Sequence, residues 1–413
     1  MTDAGAAADS RVPRTAWLAV LGAALLARVT FAVVTPRVIA WPDGLEFEAV
    51  GRSLVEHGTY GLQTLRPPGY PTLIAAVYAL FGPRLLALRL VEAVLGVVSV
   101  AVVGRVGADL FGPRAGLIAA GLMALHPVLA FLPSTQYSEN TVVLALALSF
   151  GAFFAAWRRG GAWRWALAGA LFGISALVRP NVVFMLPGIG LGMLLAPRPP
   201  AAGRVAPGLI ALLAMLVTIT PWIVRGHQAY GRWYFIASGG GRQFWVGNNP
   251  RATAETTAPT QWNAAERESL AAQPDDLARE RWHYREGMRF VRAEPARAAR
   301  LYLRELGNLF ALWPETFSRT RFVNAWSRWS QGLASAVIFL GALLALPKLR
   351  AEPRAWPMLG AVVTFALASA AFFTVMRYRM AIEPCLLWLA GAGWAGTAWA
   401  RALPGAAPRA VSR

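Results

Sequence analysis

Apolar runs close to twenty residues long recur along this chain, beginning with AWLAVLGAALLARVTFAVV at 16–34. About twenty residues of helix span the hydrocarbon core of a bilayer. Inside that core each backbone N–H and C=O must be paired within its own segment, so the repeated runs exclude a soluble globule. They leave an all-α polytopic membrane protein. The apolar patterning predicts about ten spans, at 16–34, 85–110, 115–132, 140–157, 165–178, 182–195, 207–224, 333–347, 356–375 and 382–400. The stretch PPGYPTLIAAVYALF (67–81) is too short to cross and reads as a helix lying at the interface.

Arginine decides the sidedness. The chain of 413 residues carries a formal charge of +19, and Lys348 is its one lysine. With the N-terminus in the cytoplasm, nearly every short basic cluster lands inside: Arg11 and Arg14, Arg105 and Arg114, RRGGAWR at 158–164, PRPPAAGR at 197–204, PKLRAEPR at 347–354, and a tail with Arg401, Arg409 and Arg413. Both termini are then cytoplasmic. Counting 71–81 as a span would turn the later clusters outward. The N-terminus lacks a small-residue cleavage site and reads as an uncleaved anchor. Arginines scattered between apolar spans, not gathered on one polar face, argue against a nucleic-acid partner.

This orientation divides the chain into a membrane module at 1–224 with a first outer loop at 35–84, an exoplasmic segment at 225–330, and C-terminal spans at 331–413. The exoplasmic segment opens with alternating aromatics and three glycines, a pattern that predicts strands or an interfacial loop. From 264 to 310 it turns helical, punctuated by Pro274 and Pro295. The polar chemistry gathers on the outer side, in 35–84, PSTQYSEN (133–140), VRPN (178–181), the segment itself and MRYRM (376–380).

Two readings fit each polar motif. Asp43 and Glu46, three residues apart, suit a capping box on a short helix whose apolar face is Phe47, Val50, Leu54 and Val55 and which ends at Gly58. The same carboxylates at a membrane boundary suit a general base with Glu46 orienting it or holding a metal. Arg66 precedes two prolines and Gly69, which permits a tight turn. Such a stiff guanidinium suits either a headgroup or a bidentate phosphate. Tyr137, Glu139 and Arg179 stand at outer span ends. They either cap a helix and snorkel or meet in one cavity with Tyr70 to orient substrates. Arg377 and Arg379 with Glu383 read as a buried ion pair or a second phosphate contact. Asn248 in GNNP reads as a turn or a sugar ligand, and His126 as a packed histidine. The chain shows no phosphate-binding glycine loop of the ATPase kind, no zinc-like His/Cys cluster and no nucleophile elbow. It has a single cysteine, Cys385.

In their order and shared outer placement, PDGLEFEAVGRSLVEHGTYG, RPPGYP, YSEN, LVRPN, ITPWIVRG with YG and GNNP, and RYRMAIEP resemble the GT-C glycosyltransferases. The resemblance is strongest to bacterial relatives of protein O-mannosyltransferases and of lipid A aminoarabinose transferases. It implies a GT-C fold, a polyprenyl-phosphate sugar donor, inverting transfer and an active site at the outer face of a bacterial cytoplasmic membrane. The family's catalytic aspartate maps onto Asp43. Its acidic neighbour is replaced by Gly44, with Glu46 the nearest substitute. The basic residue before the double proline is Arg66, and the acidic residue after the third span is Glu139. On this reading Arg66, Arg179 and Arg377 hold the donor phosphate, and a divalent cation such as Mg or Mn is a candidate cofactor. The alternatives are a lipid-linked sugar flippase or a ligase using a lipid diphosphate-linked glycan.

Overall fold

The computed structural model describes residues 12–61, 63–198, 200, 203–255, 262–313 and 325–397. Among them all regular structure is helical. Helix α1 (Arg14–Val34) leads into two short helices, α2 (Pro42–His57) and α3 (Gly69–Phe81). Then come α4 (Leu85–Phe111), α5 (Pro113–Leu125), α6 (Pro127–Phe131), α7 (Glu139–Arg159), α8 (Ala162–Val178), α9 (Leu186–Leu195) and α10 (Val205–Tyr230). Four shorter helices follow: α11 (Gly240–Gly247), α12 (Ala264–Ala271), α13 (Asp276–Ala293) and α14 (Pro295–Leu309). Helices α15 (Ala325–Ala345), α16 (Ala355–Ser369) and α17 (Glu383–Ala395) close the chain.

Among the described residues each expected span overlaps helix, with 398–400 of the last one outside them, yet length and composition alone qualify five helices as membrane-crossing, or six if a bent pair counts as one. The bent pair corrects the expected third span. Pro113–Leu125 and Pro127–Ser134 meet at 61°. Pro127 has no N–H to continue the helix, and His126 before it is extended at φ −66°, ψ 116°. His126 caps the new turn, its Nδ1 accepting from the Leu129 N–H at 3.2 Å. The expected 356–375 span stops as helix at Ser369. The helices pack closely where small residues meet: a Cβ on Gly188 would lie 1.9 Å from the Gly360 carbonyl oxygen.

Helix α2 starts on Pro42 with Trp41 as its N-cap, and no side chain caps it. The expected capping box is therefore absent. Gly58 ends the helix at φ 65°, as its sequence predicts. The buried face is Gly44, Phe47, Val50 and Gly51, while Val55 is 42 % exposed, so the true stripe sits nearer the N-terminus than expected. The expected strands are also absent from the described residues. Trp233, Tyr234 and Phe235 lie in irregular backbone, the loop alternative, while Phe244 and Trp245 fall in α11, which buries Gly241, Trp245 and Gly247. A Cβ on Gly241 would lie 2.4 Å from the Glu280 carbonyl oxygen, so α11 lies flush on α13. Tertiary packing has overridden β propensity here.

The two ends of the bundle differ. At one end Asp109 near the end of α4 pairs with Arg158 of α7 and, at 3.0 Å, with Arg354 just before α16. The opposite ends of α7 and α16 carry the residues described next. The tail arginines Arg401, Arg409 and Arg413, like Arg11, lie outside the described residues.

Candidate active site

Asp43 sits in the first turn of α2. Arg66 Nη2 reaches its Oδ1 at 2.8 Å, and Arg377 Nη2 reaches its Oδ2 at 2.6 Å. Each carboxylate oxygen thus has its own guanidinium. Arg66 also donates from Nε to Glu46 Oε2 at 2.8 Å and stacks over Phe47 at 4.7 Å. Its backbone is fixed by Gln63, whose Oε1 accepts the Arg66 N–H at 2.7 Å. The two prolines that follow lead into α3. Gly69 serves close approach, not the tight turn its sequence suggests. A Cβ there would meet Leu177 O at 2.9 Å and Val178 Cγ2 at 2.7 Å.

Gly44 explains a departure in the sequence. A Cβ at that position would lie 2.9 Å from both Ile39 Cγ2 and the Thr135 carbonyl oxygen. The α2 backbone rests on the Thr135 turn, and a carboxylate next to Asp43 has no room. Glu46, half-exposed on the next turn, takes the contact with Arg66 instead.

Glu139 opens α7. It is 2 % exposed and holds Arg179 Nη1 at 2.6 Å, with Arg377 Nε 3.7 Å away. Arg377 lies over the Tyr137 ring at 4.4 Å, and Tyr378 lies 5.3 Å below Arg179 and 5.5 Å from Arg377. Tyr137 follows Gln136, a non-glycine residue held at φ 58° in a buried turn. The three arginines and three carboxylates form one neutral, interlocked network. Burial alone would raise the Asp43 carboxyl's pKa. The Arg377 and Arg66 guanidiniums override it and hold that carboxyl below the usual carboxylate range. Burial would lower both arginines, but the carboxylates around them keep Arg66 raised and Arg377 well above its ordinary value.

Asp43, Arg66, Tyr137, Glu139, Arg179 and Arg377 all line a cavity of about 790 Å³. Its other wall comes from the segment after α10: Tyr234, Ser238, Gly240, Arg242, Gln243, Glu280 and Tyr284. The walls are joined where Thr64 and Ser238 pair, hydroxyl to hydroxyl at 2.5 Å and Ser238 N–H to Thr64 O at 2.9 Å.

Two expected site residues are elsewhere. Tyr70 is fully buried under Phe47, 5.2 Å ring to ring, and does not line the cavity. Asn248 caps α11, donating to the Phe244 and Ala371 carbonyls at 2.9 Å each, which is the turn reading of GNNP. Sequence reasoning missed Arg242, Gln243, Glu280 and Tyr284. The charges of α13 look like a solvated helix face, and only the run Gly239–Gly241, where a helix can approach another backbone, hinted otherwise. A side-chain metal cradle does not fit. Among the described residues no three His, Cys, Asp or Glu side chains converge. Asp43 and Glu139 are turned to guanidiniums instead of to each other.

Residues 65–224 match the family model of dolichyl-phosphate-mannose-protein mannosyltransferase. The match includes Arg66, Tyr137, Glu139 and Arg179 and excludes Asp43, Glu46 and Arg377. The apo oligosaccharyltransferase from Archaeoglobus fulgidus superposes with a TM-score of 0.54 at 12 % identity, over 90 % of this chain and 50 % of that one. The chain has the GT-C fold. The same archaeal enzyme tethered to an acceptor peptide with the NVT sequon gives 0.53 at 15 % identity, over 90 % and 49 % of the two chains. This GT-C chain therefore spans about half the length of the oligosaccharyltransferase it matches. ArnT from Cupriavidus metallidurans bound to undecaprenyl phosphate aligns over 92 % of this chain and 79 % of its own, at 17 % identity and a TM-score of 0.45. No curated protein sequence matches the chain.

Proposed function

We propose that the chain is an inverting membrane glycosyltransferase that moves a sugar from a polyprenyl-phosphate donor to an acceptor hydroxyl or amine. The observation that carries this reading is Asp43 with one guanidinium on each oxygen, at the wall of a cavity large enough for a sugar phosphate. The match of residues 65–224 to a family named for a dolichyl-phosphate sugar donor supports the same donor class.

The donor phosphate enters as a competitor. Arg66, Arg179 and Arg377 are the cavity's cations best placed for an anion, and each is engaged by a carboxylate. A phosphate that takes hydrogen bonds from Arg66 and Arg377 draws them off Asp43. The carboxylate regains free lone pairs and basicity when the donor is in place. The acceptor's oxygen or nitrogen then attacks the anomeric carbon from the face away from the phosphate. The anomeric C–O bond breaks, its electron pair stays on the phosphate oxygen, and the acceptor proton passes to an Asp43 oxygen. One displacement inverts the anomeric centre. The arginines bear the charge that grows on the leaving polyprenyl phosphate. Glu139 holds Arg179 and Arg377 in place, and Glu46 steadies Arg66.

The cavity lies at the bundle end away from the Arg158–Asp109–Arg354 cluster, which supports an outer-face site under the positive-inside rule. The test is transfer from purified polyprenyl-phosphate sugars by wild type and Asp43→Asn in lipid nanodiscs. The variant is expected to fold, bind donor and lose turnover. A chain that flips lipid at an unchanged rate in both forms, without transfer, would overturn the reading in favour of a carrier.

A further inference from the structure

Three carboxylates line the cavity: Asp43, Glu139 and Glu280. Two of them are saturated by arginine. Glu280 forms no ion pair among the described residues, although Arg242 lines the same cavity. Arg242 instead lies 5.9 Å from the Trp262 ring. Glu280 Oε2 is enclosed yet finds no hydrogen-bond partner. Burial raises its carboxyl to about 7, against the pull of the Gly241 and Gly240 backbone amides. The start of α11 thus faces this carboxylate, and no side chain donates to Oε2. The side-chain amide of Gln243, on the same wall, likewise makes no hydrogen bond among the described residues.

Apolar rings surround these unfilled groups. Tyr284 stands one turn beyond Glu280 on α13, where its hydroxyl would lie 2.5 Å from a Cβ on Gly240. Phe372 also lines the cavity, stacked 5.7 Å from Phe184 and set 5.9 Å from Phe244, which in turn sits 5.6 Å from Tyr284. A carboxylate, an amide and ring faces on one wall match the two sides of a pyranose: vicinal hydroxyls that donate and a C–H face that is apolar.

We infer that Glu280 is a sugar-binding residue, its carboxylate accepting hydrogen bonds from the hydroxyls of a pyranose ring that lies against Phe372 and Tyr284. The inference rests on the reading above, in which the cavity receives a sugar, and names the wall that grips it. The ring comes either from the donor or from an acceptor that is itself a glycoside. Both present the same hydroxyls.

Saturation-transfer NMR on the detergent-solubilised full chain tests it with methyl α-mannopyranoside, methyl α-glucopyranoside and methyl β-arabinopyranoside. At least one is expected to bind wild type, and to bind Glu280→Gln about tenfold more weakly, the scale of one charged hydrogen bond. Tyr284→Phe serves as a milder second variant, expected to weaken binding less. Titrations with polyprenyl-phosphate sugar and with bare polyprenyl phosphate then separate the two sources. A tenfold loss confined to the sugar-bearing lipid assigns the subsite to the donor. Unchanged binding of both lipids, with the glycoside effect intact, assigns it to the acceptor. Glu280→Gln binding glycosides like wild type, no glycoside binding at all, or equal weakening for bare polyprenyl phosphate would overturn the inference. If glycoside binding depends on Glu280 while wild type fails to transfer sugar from polyprenyl phosphate, the donor assignment falls and the sugar subsite stands.

Discussion

Arg377 and Arg379 are two residues apart on one short turn, and each answers a carboxylate, yet they belong to different regions of the molecule. Arg377 faces the cavity and ties Asp43 to the Glu139 neighbourhood, with solvent reaching both carboxylate and cation. Arg379 is fully buried. Its Nε meets Glu383 Oε2 at 3.2 Å, its Nη2 donates to Ser335 Oγ at 2.8 Å, and its Nη1 donates to the Ala311 carbonyl at 3.0 Å. His126 approaches the other Glu383 oxygen at 3.6 Å. The closed cluster has nowhere to exchange partners, so it braces α15 and α17. The open one lines a cavity that a third partner can enter. The same pairing chemistry becomes scaffold or site according to whether a third partner can enter.

The comparison breaks first at Asp43. Asp43→Asn should cut transfer about a thousandfold, as for a lost general base, with a fall in melting temperature well below that of Arg379→Met. A comparable loss of turnover without Asp43's charge, but with a large fall in melting temperature, would move Asp43 into the scaffold class. Next, Arg379→Met should destabilise by about 3 kcal/mol because it strands Glu383 in the interior, and Arg379→Met with Glu383→Leu should recover most of that in a melting series. Arg377→Lys should leave the melting temperature near wild type and lower kcat about tenfold to a hundredfold, since an ammonium lacks the fork that spans two partners. Equal stability losses at 377 and 379 would erase the distinction. The smallest effect concerns pH. Asp43's carboxyl is depressed in the fold, so the stability it lends is complete above its unfolded value near 4 and is lost only as pH falls through the lower folded value. The melting difference between wild type and Asp43→Asn should therefore stay level from pH 8 to pH 5 and shrink below pH 4.

The long spans were legible because hydrophobicity over twenty residues outweighs every local preference. The break at His126–Pro127 was legible too, in the proline itself, but an apolar run on both sides invites reading straight through it. The aromatics and glycines from 233 pointed to strands or a loop; 233–239 is loop, and packing on α13 made 240–247 a helix. That Asp43, Arg66, Glu139, Arg179 and Arg377 meet at one cavity was readable because charges at span ends have few places to go. Tyr70 and Asn248 misled because a polar atom's direction depends on helix phase, which sequence gives only to within a turn. Glu280 was hidden because a charge on a mixed helix looks solvated until a neighbouring glycine-rich helix settles over it.

The bond from Arg377 to Asp43 joins positions 334 residues apart. The ribosome therefore makes Asp43 long before it supplies Arg377, the second guanidinium on that carboxylate. A nascent or truncated chain that already holds Asp43, Arg66 and the whole stretch to Val224 still lacks half of the grip on that carboxylate. That grip is complete only once the helices around Arg377 have inserted.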